Sequence, residues 1–212
     1  YRTWDGSSFS IESLAEDTNS TISWVVLKPS PVTNEMIMGV YSTDNTLYIQ
    51  TWDGSSWTSS WSTVMNLSAN YRGFDIAYEQ NSGDVIVVFS DDATDTLEYR
   101  KRVDGVWDPS DQNTGITLGD AANWVRAESR PDSDDIFVGA QTNSKTLFAL
   151  RWDGTANNWV DQIQTTAVVR DANREAFDIA FESASGDAFL VWGDDAENVK
   201  YRQFTTSWDG SD

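Results

Sequence analysis

Residues 24 to 54, "WVVLKPSPVTNEMIMGVYSTDNTLYIQTWDG", align without a gap, at an offset of 100, with residues 124 to 154, "WVRAESRPDSDDIFVGAQTNSKTLFALRWDG". Trp24/Trp124, Pro31/Pro131, Gly39/Gly139, Leu47/Leu147 and Trp52/Trp152 coincide. A second pair, "GFDIAYEQNSGDVIVVFSDDATDTLEYR" from Gly73 and "AFDIAFESASGDAFLVWGDDAENVKYR" from Ala176, matches with one residue deleted. The chain is therefore written A-B-A-B, and self-similarity at a fixed period restricts it to folds in which equal units occupy equal environments. A and B share an outline of three short apolar segments separated by polar turns, the third ending in Asp-Gly before a Trp. Their first segments open at Trp24, Phe74, Trp124 and Phe177, spaced 50, 50 and 53 residues apart.

Segments such as "DVIVVFS", "TLYIQTW" and "DAFLVWG" are rich in β-branched and aromatic residues and run for strand lengths between turn signals. Asp-Gly and Ser-Gly-Asp supply the positive φ that tight hairpins need, and no stretch sustains helical periodicity with caps at both ends. An all-β chain is predicted, and four strands per period of about 50 residues predict β-propeller blades. Two β-sandwiches of about 100 residues each are the competing arrangement, but a sandwich does not require its halves to resemble one another. The expected division is one repeat domain: 1–23 as outer strands of a B-type blade, 24–72 as blade A1, 73–123 as B1, 124–175 as A2, and 176–212 as an incomplete B2. The ring could be larger than four blades, or the chain part of a longer array.

Charge excludes several partners. The 212 residues carry 34 Asp and Glu against 14 Lys and Arg, a net of -20, with no basic run to track a phosphate backbone or an anionic membrane, so neither nucleic acid nor membrane insertion is expected. There is no Cys and no His. Ser-His-Asp and Cys-His nucleophiles and His-ligated metals are thereby excluded, leaving carboxylates, Tyr, Lys and Arg for acid-base work. No apolar run reaches the roughly 20 residues of a membrane helix. The first residue is Tyr1 rather than Met, which is read as a processed piece of a longer, exported polypeptide.

"MGVYSTDNTLYIQTWDGSSW" resembles the blades of the fungal and bacterial fucose-binding lectin propellers, in which an apolar strand ending in Val-Tyr leads through an Asn-containing turn to a Trp-Asp-Gly-x-x-Trp hairpin. The likeness covers about 20 residues of each A unit and is weaker in B. It implies a sugar held by an Arg just before the Val-Tyr, a Glu three residues before the Trp-Asp-Gly, and an aromatic. Here those two positions are Gly39 and Ile49, and Gly139 and Ala149 in the second copy. The charged half of the site is missing, so fucose is not expected to bind through it. A looser likeness is to sialidase-type propellers, but "WDGSSW" is out of step with their Asp-box and no arginine triad is identifiable.

Four residues stand as ligand candidates. Asp75 and Asp178, in "FDIA", are carboxylates in otherwise apolar first strands; they could face each other across an axial channel, or accept hydrogen bonds from the amides of the next blade. Trp57 follows the "WDGSS" hairpin and recurs in phase with Trp159, which favours packing between blades over sugar stacking. Trp61 has no counterpart and is the better candidate for an exposed contact. The clusters Asp91, Asp92, Asp95 and Asp194, Asp195, Glu197 occupy the same hairpin of the two B units and could hold calcium, although they lack the order of a recognised calcium loop; solvated turns are the other reading.

No unit carries a unique polar constellation, so no enzyme is expected. The reading is a non-catalytic propeller, extracellular or at the cell surface, for scaffolding or for recognising protein or glycan. A carboxylate-only carbohydrate-active enzyme or a lectin-type module using exposed Trp is the alternative. The "YR" before Asp-Gly puts Tyr1, Tyr99 and Tyr201 in one phase. Residues 1–20 are thus expected to dock on the last blade and close the ring, or else to pair with further repeats or other copies.

Overall fold

The computed structural model describes residues 1–165 and 168–210. Among them the strands fall into four antiparallel sheets and there is no helix. The first, in A1, holds β1 (Ile22–Pro29), β2 (Met36–Ser42), β3 (Thr46–Trp52) and β4 (Trp57–Val64). In B1 follow β5 (Phe74–Tyr78), β6 (Val85–Asp91), β7 (Thr96–Val103), β8 (Val106–Trp107) and β9 (Gln112–Thr117), the last two both pairing with β7. The third sheet, in A2, has β10 (Ala122–Ser129), β11 (Ile136–Thr142), β12 (Leu147–Asp153) and β13 (Asn158–Gln164). B2 has β14 (Phe177–Phe181), β15 (Ala188–Gly193) and β16 (Val199–Phe204). The A1, A2 and B2 sheets are meanders paired in chain order, and in B1 β5 to β8 pair in order while β9 returns to β7.

The sequence pattern explains why the sheets stack. β6 reads "VIVVFSD" and buries residues on both faces, as a strand must when covered on two sides. Three apolar seams result: A1 on B1 through Ile37, Leu47 and Ile49 against Phe74, Ile76 and Val87; B1 on A2 through Ala77, Ile86 and Val88 against Val125, Ala127 and Val138; and A2 on B2 through Phe137 and Ala149 against Phe177, Ile179 and Leu190. The innermost strands β1, β5, β10 and β14 neighbour one another in chain order. At their start the Trp24 and Trp124 rings meet edge to face at 5.7 Å, with Tyr71 5.9 Å from Trp124. That central contact gives both Trp a packing role.

The recurring Trp-Asp-Gly phrase has a local cause. Asp53 Oδ1 accepts the amides of Ser55 and Ser56 at 2.8 and 2.9 Å, Asp5 Oδ1 those of Ser7 and Ser8 at 2.8 Å each, and Asp153 Oδ1 those of Thr155 and Ala156 at 3.0 and 2.8 Å. Gly54 follows at φ 102°, where only glycine is unstrained. The amides of Ser8 and Ser56 first, then the neighbouring Ser groups, pull the Asp5 and Asp53 carboxyls down to about 2. Because the folded values lie below the ordinary 3.8, the turns are fully stabilised above about pH 4 and lose that stabilisation as pH falls towards about 2. Carbon-detected NMR titration of both carboxyls is expected to give midpoints near 2; midpoints near 3.8 would show that the turn bonds are not formed.

Residues 1–20 do not close on the last sheet. Tyr1 lies 5.6 Å from Trp52 and 6.3 Å from Trp57, and Glu16 exchanges two hydrogen bonds with the Gln50 side chain, so the segment sits on A1. Tyr99 makes the same contacts on A2, 5.8 Å from Trp152 and 5.4 Å from Trp159. The phase read from "YR" therefore holds, whereas the neighbour differs: B2 already has its third strand in β16, and its last aromatic, Trp208, bridges back to Phe204.

Candidate functional site

An aromatic cleft of about 330 Å³ opens where residues 1–4 cross the outer end of sheet A1. Its walls are Tyr1, Trp4, Trp52 and Trp57, with Arg2 and Thr3 at the rim and Leu27 and Met36 as apolar floor. β3 and β4 place Trp52 and Trp57 directly opposite each other in register across the hairpin, their rings 5.6 Å apart at 50°. Trp4 is 55% exposed and braced by Phe9 at 4.9 Å. Arg2, loosely tied to Glu12 at 3.6 Å, keeps its guanidinium in solvent. The cleft lining thus offers ring faces and edges, the Arg2 cation and the hydroxyls of Tyr1 and Thr3, and it contains no carboxylate side chain.

The corresponding place between B1 and A2 is filled by buried side chains, Glu79, Lys101 and Trp152. The Trp152 indole N–H donates to Glu79 Oε1 at 2.7 Å, and Lys101 Nζ, 2.9 Å from Glu79 Oε1, stands over the Trp152 ring at 4.9 Å. A buried ion pair fills the position that the cleft leaves free on A1. Of the sequence candidates, Trp57 alone lines the cleft. Trp52 and Trp4 were legible only as members of the Trp-Asp-Gly hairpin, and Arg2 only as the second residue of the repeated "YR".

The other candidates are placed elsewhere. Asp75 is 2% exposed, and its carboxylate accepts the amides of Ile76 at 2.9 Å and of Ala127, on the next sheet, at 3.0 Å. Burial pushes this carboxyl up, while Lys28 and Arg72 pull it down. Asp178 accepts the Ile179 amide at 2.9 Å. The two do not face each other across open space: a chain of ion pairs joins them, Asp75 to Arg72 at 3.8 Å, Arg72 to Glu175 at 2.6 Å, Glu175 to Arg126 at 2.8 Å and Arg126 to Asp178 at 3.6 Å. Trp61 is not an exposed contact. It packs into the A1/B1 seam 6.1 Å from Phe89 and 5.5 Å from Trp107, under the Arg100 guanidinium at 4.5 Å. Trp61 stands opposite Ile49 as Ile163 does opposite Ala149, so its counterpart is the aliphatic Ile163, which shares no aromatic signal with it.

The acidic hairpins use their carboxylates locally. Asp91 Oδ1 accepts the Ala93 amide at 2.9 Å and the Asn66 side chain at 3.0 Å; Asp194 Oδ1 accepts the amides of Ala196 and Asn198 at 2.9 and 2.8 Å. Asp195 faces Lys145 at 3.4 Å and Glu197 faces Arg170 at 3.5 Å. Asp95 and Glu197 take positive φ, 51° and 66°, and burial followed by Asp95 raises the Asp92 carboxyl. Among the described residues no three acidic groups converge as a metal ligand set. Gly39 and Ile49 are buried under the next sheet: a Cβ on Gly39 would lie 2.6 Å from Phe74 Cε2, and one on Gly139 2.4 Å from Phe177 Cε2.

No known family model and no curated protein matches the chain. Solved structures do. The BP39L lectin from Burkholderia pseudomallei superposes with a TM-score of 0.67 at 12% identity, over 91% of this chain and 55% of that one. The Aleuria aurantia lectin bound to Fucα1-6GlcNAc gives 0.54 at 15%, over 90% and 60%; that lectin is a six-bladed β-propeller. The fold is β-propeller-like. The likeness to fucose-lectin propellers read from the A units is therefore borne out, at the level of the fold. An exo-β-1,3-galactanase from Phanerochaete chrysosporium is similar too, with a TM-score of 0.51 at 12% identity, over 94% and 52%. This chain spans little more than half the length of these proteins, and the fold by itself does not choose between binding and hydrolysis.

Proposed function

We propose that the chain is a non-catalytic, glycan-recognising module of four propeller blades, A1, B1, A2 and B2, with residues 1–20 as the outer part of a further B-type blade, acting outside the cell or at its surface. The aromatic cleft on A1 carries this reading. Tyr1, Trp4, Trp52 and Trp57 give an apolar platform for the C–H face of a sugar ring, while Arg2, Thr3 and the indole N–H groups can accept its hydroxyls as partners. Glycoside hydrolysis needs two carboxyl groups flanking the scissile bond. The cleft itself is lined by rings and no carboxylate, while Glu16 and Asp17 line the adjoining cavity that shares Tyr1, Leu27 and Trp57, so the ring platform is what favours binding. The net charge of -20 suits a protein kept soluble by self-repulsion.

A glycan array with the intact chain is expected to give hits that Trp57→Ala weakens by about five- to tenfold, the loss of one stacking aromatic being worth about 1 to 1.5 kcal/mol. Trp61→Ala, in the seam, is expected to lower stability without changing the hit pattern of the folded fraction. An array with no hits, or hits indifferent to Trp57, would overturn the proposal and leave scaffolding or protein recognition.

A further inference from the structure

The sheets present two uncovered faces that match halves of a seam the molecule already contains. On A2 the face turned to B1 is closed, with Val125, Ala127, Val138 and Leu150 all at 0% exposure. The same face of A1 is open: Val25 is 52% and Leu27 51% exposed, and a cavity of about 450 Å³ runs beside them towards Met38. On B1 the face turned to A2 is closed, Ala77 at 2%, Ile86, Val88 and Leu97 at 1% or less. On B2 its counterparts are uncovered, Val199 at 82% and Tyr201 at 56%, with Ala180 exposed and Phe189 and Val191 half-buried.

Two of the polar contacts of the closed seam are encoded in the open faces as well, although Lys101 is replaced in phase by Gln203. Asp75 accepts the Ala127 amide and Glu79 the Trp152 indole; in B2 the same phases hold Asp178 and Glu182, and in A1 they hold Leu27 and Trp52. Tyr99 wedges against Trp152 and Trp159, and B2 exposes Tyr201 in the same phase. Residues 1–4 now occupy part of that place on A1, Tyr1 standing where Tyr201 of an incoming sheet would go. Tyr1 is 43% and Trp4 55% exposed, and the chain that follows is more open still, Ile11 at 86% and Leu14 at 92%.

We infer that a second copy of this chain docks head to tail, the open face of its B2 on the open face of A1, repeating the B1/A2 seam and displacing residues 1–4 from Trp52 and Trp57. Such a contact is heterologous, so it propagates until it closes on itself. The terminal copy keeps its aromatic cleft open, and every docked A1 has it covered.

Sedimentation of the full chain over a range of concentrations tests this without any sugar, so its outcome is independent of the glycan reading. The average mass is expected to rise with concentration, and the Tyr1→Ala/Trp4→Ala variant, whose N-terminal segment competes less, to reach the same mass at about tenfold lower concentration, the equivalent of about 1.4 kcal/mol. Val25→Asp blocks the A1 face and Ala180→Glu the B2 face, both at exposed positions that leave folding intact. Each alone is expected to stay monomeric, and an equimolar mixture to stop at two copies, because one good face of each kind survives. A chain that is monomeric both as it stands and with Tyr1 and Trp4 replaced, or association that survives both single blocks, would overturn the inference. A monomeric full chain whose Tyr1→Ala/Trp4→Ala variant associates would support it, with the segment as the competitor.

Discussion

Glu79→Ala is expected to lower the melting temperature by on the order of 10 °C. Glu79 and Lys101 have side chains only 3% and 9% exposed and stand 2.9 Å apart, between sheets B1 and A2. The Trp152 indole N–H also points at the same carboxylate, at 2.7 Å. Desolvating two charges costs several kcal/mol, which their attraction and the extra hydrogen bonds offset only while all are present. Truncating Glu79 leaves Lys101 with Asp84 at 3.6 Å and Asn157 at 3.0 Å, and leaves the indole N–H without an acceptor. Loss of one partner of a buried pair costs about 3 to 5 kcal/mol, and a chain of this size moves by about 2 to 4 °C per kcal/mol. The remaining contacts of Lys101 put the effect towards the lower part of that range. The double variant Glu79→Leu/Lys101→Met is expected to recover most of the loss, since neither charge then stays buried. Thermal unfolding of the three proteins decides; a single variant melting within a degree of the parent would mean that the pair is not part of the seam.

How this seam arises shows where reading the sequence succeeds and where it stops. The strand in "TLYIQTW" and the hairpin after "WDG" follow from composition and turn chemistry, and the phase of Tyr1, Tyr99 and Tyr201 follows from repetition. The repeat fixes what sits at each position of a unit, but it does not say which face of that unit meets which neighbour. Asp75 was legible as a carboxylate on an apolar first strand; that it reaches forward to the Ala127 amide rather than inward to Asp178 depends on the stacking of B1 on A2. Residues 1–23 read as outer strands, but residues 1–20 form only the Trp4–Phe9 bridge, and their choice of A1 over B2 depends on Trp52 and Trp57 offering the place that Trp152 and Trp159 offer to Tyr99. Arg2 and Trp4 become a site only through that choice. The acidic hairpins carried two readings for a different reason: carboxylates spaced to hold a cation are also spaced to cap their own turn amides, and Asp91 and Asp194 make such caps.

Restoring the lectin-type pair, Gly39→Arg with Ile49→Glu, is expected to destroy the A1/B1 seam rather than create a fucose site. Gly39 lies opposite Val26 and Ile49 in the sheet register, and the Phe74 ring comes down over its Cα. A Cβ there would lie 2.6 Å from Phe74 Cε2 and 3.2 Å from Ile76 Cδ1, closer than carbon atoms pack. Even Gly39→Ala is therefore expected to cost about 1 to 3 kcal/mol as overpacking. An arginine adds a guanidinium where Phe74, Ile76 and Ile49 are fully buried, and a glutamate at 49 places a carboxylate in the same seam, so the pair stays desolvated even when its members meet. The double variant is expected to be insoluble or to melt more than about 10 °C below the parent, without gaining affinity for α-methyl fucoside by calorimetry. Gly39→Ala combined with Phe74→Leu, which withdraws the ring edge, is expected to melt above Gly39→Ala alone. Calorimetric fucose binding by a well-folded Gly39→Arg/Ile49→Glu protein would instead show that the seam can open to admit a sugar. The absent charges would then be the sole difference from the lectin-type site, and the packing of Phe74 over Gly39 would have no part in excluding it.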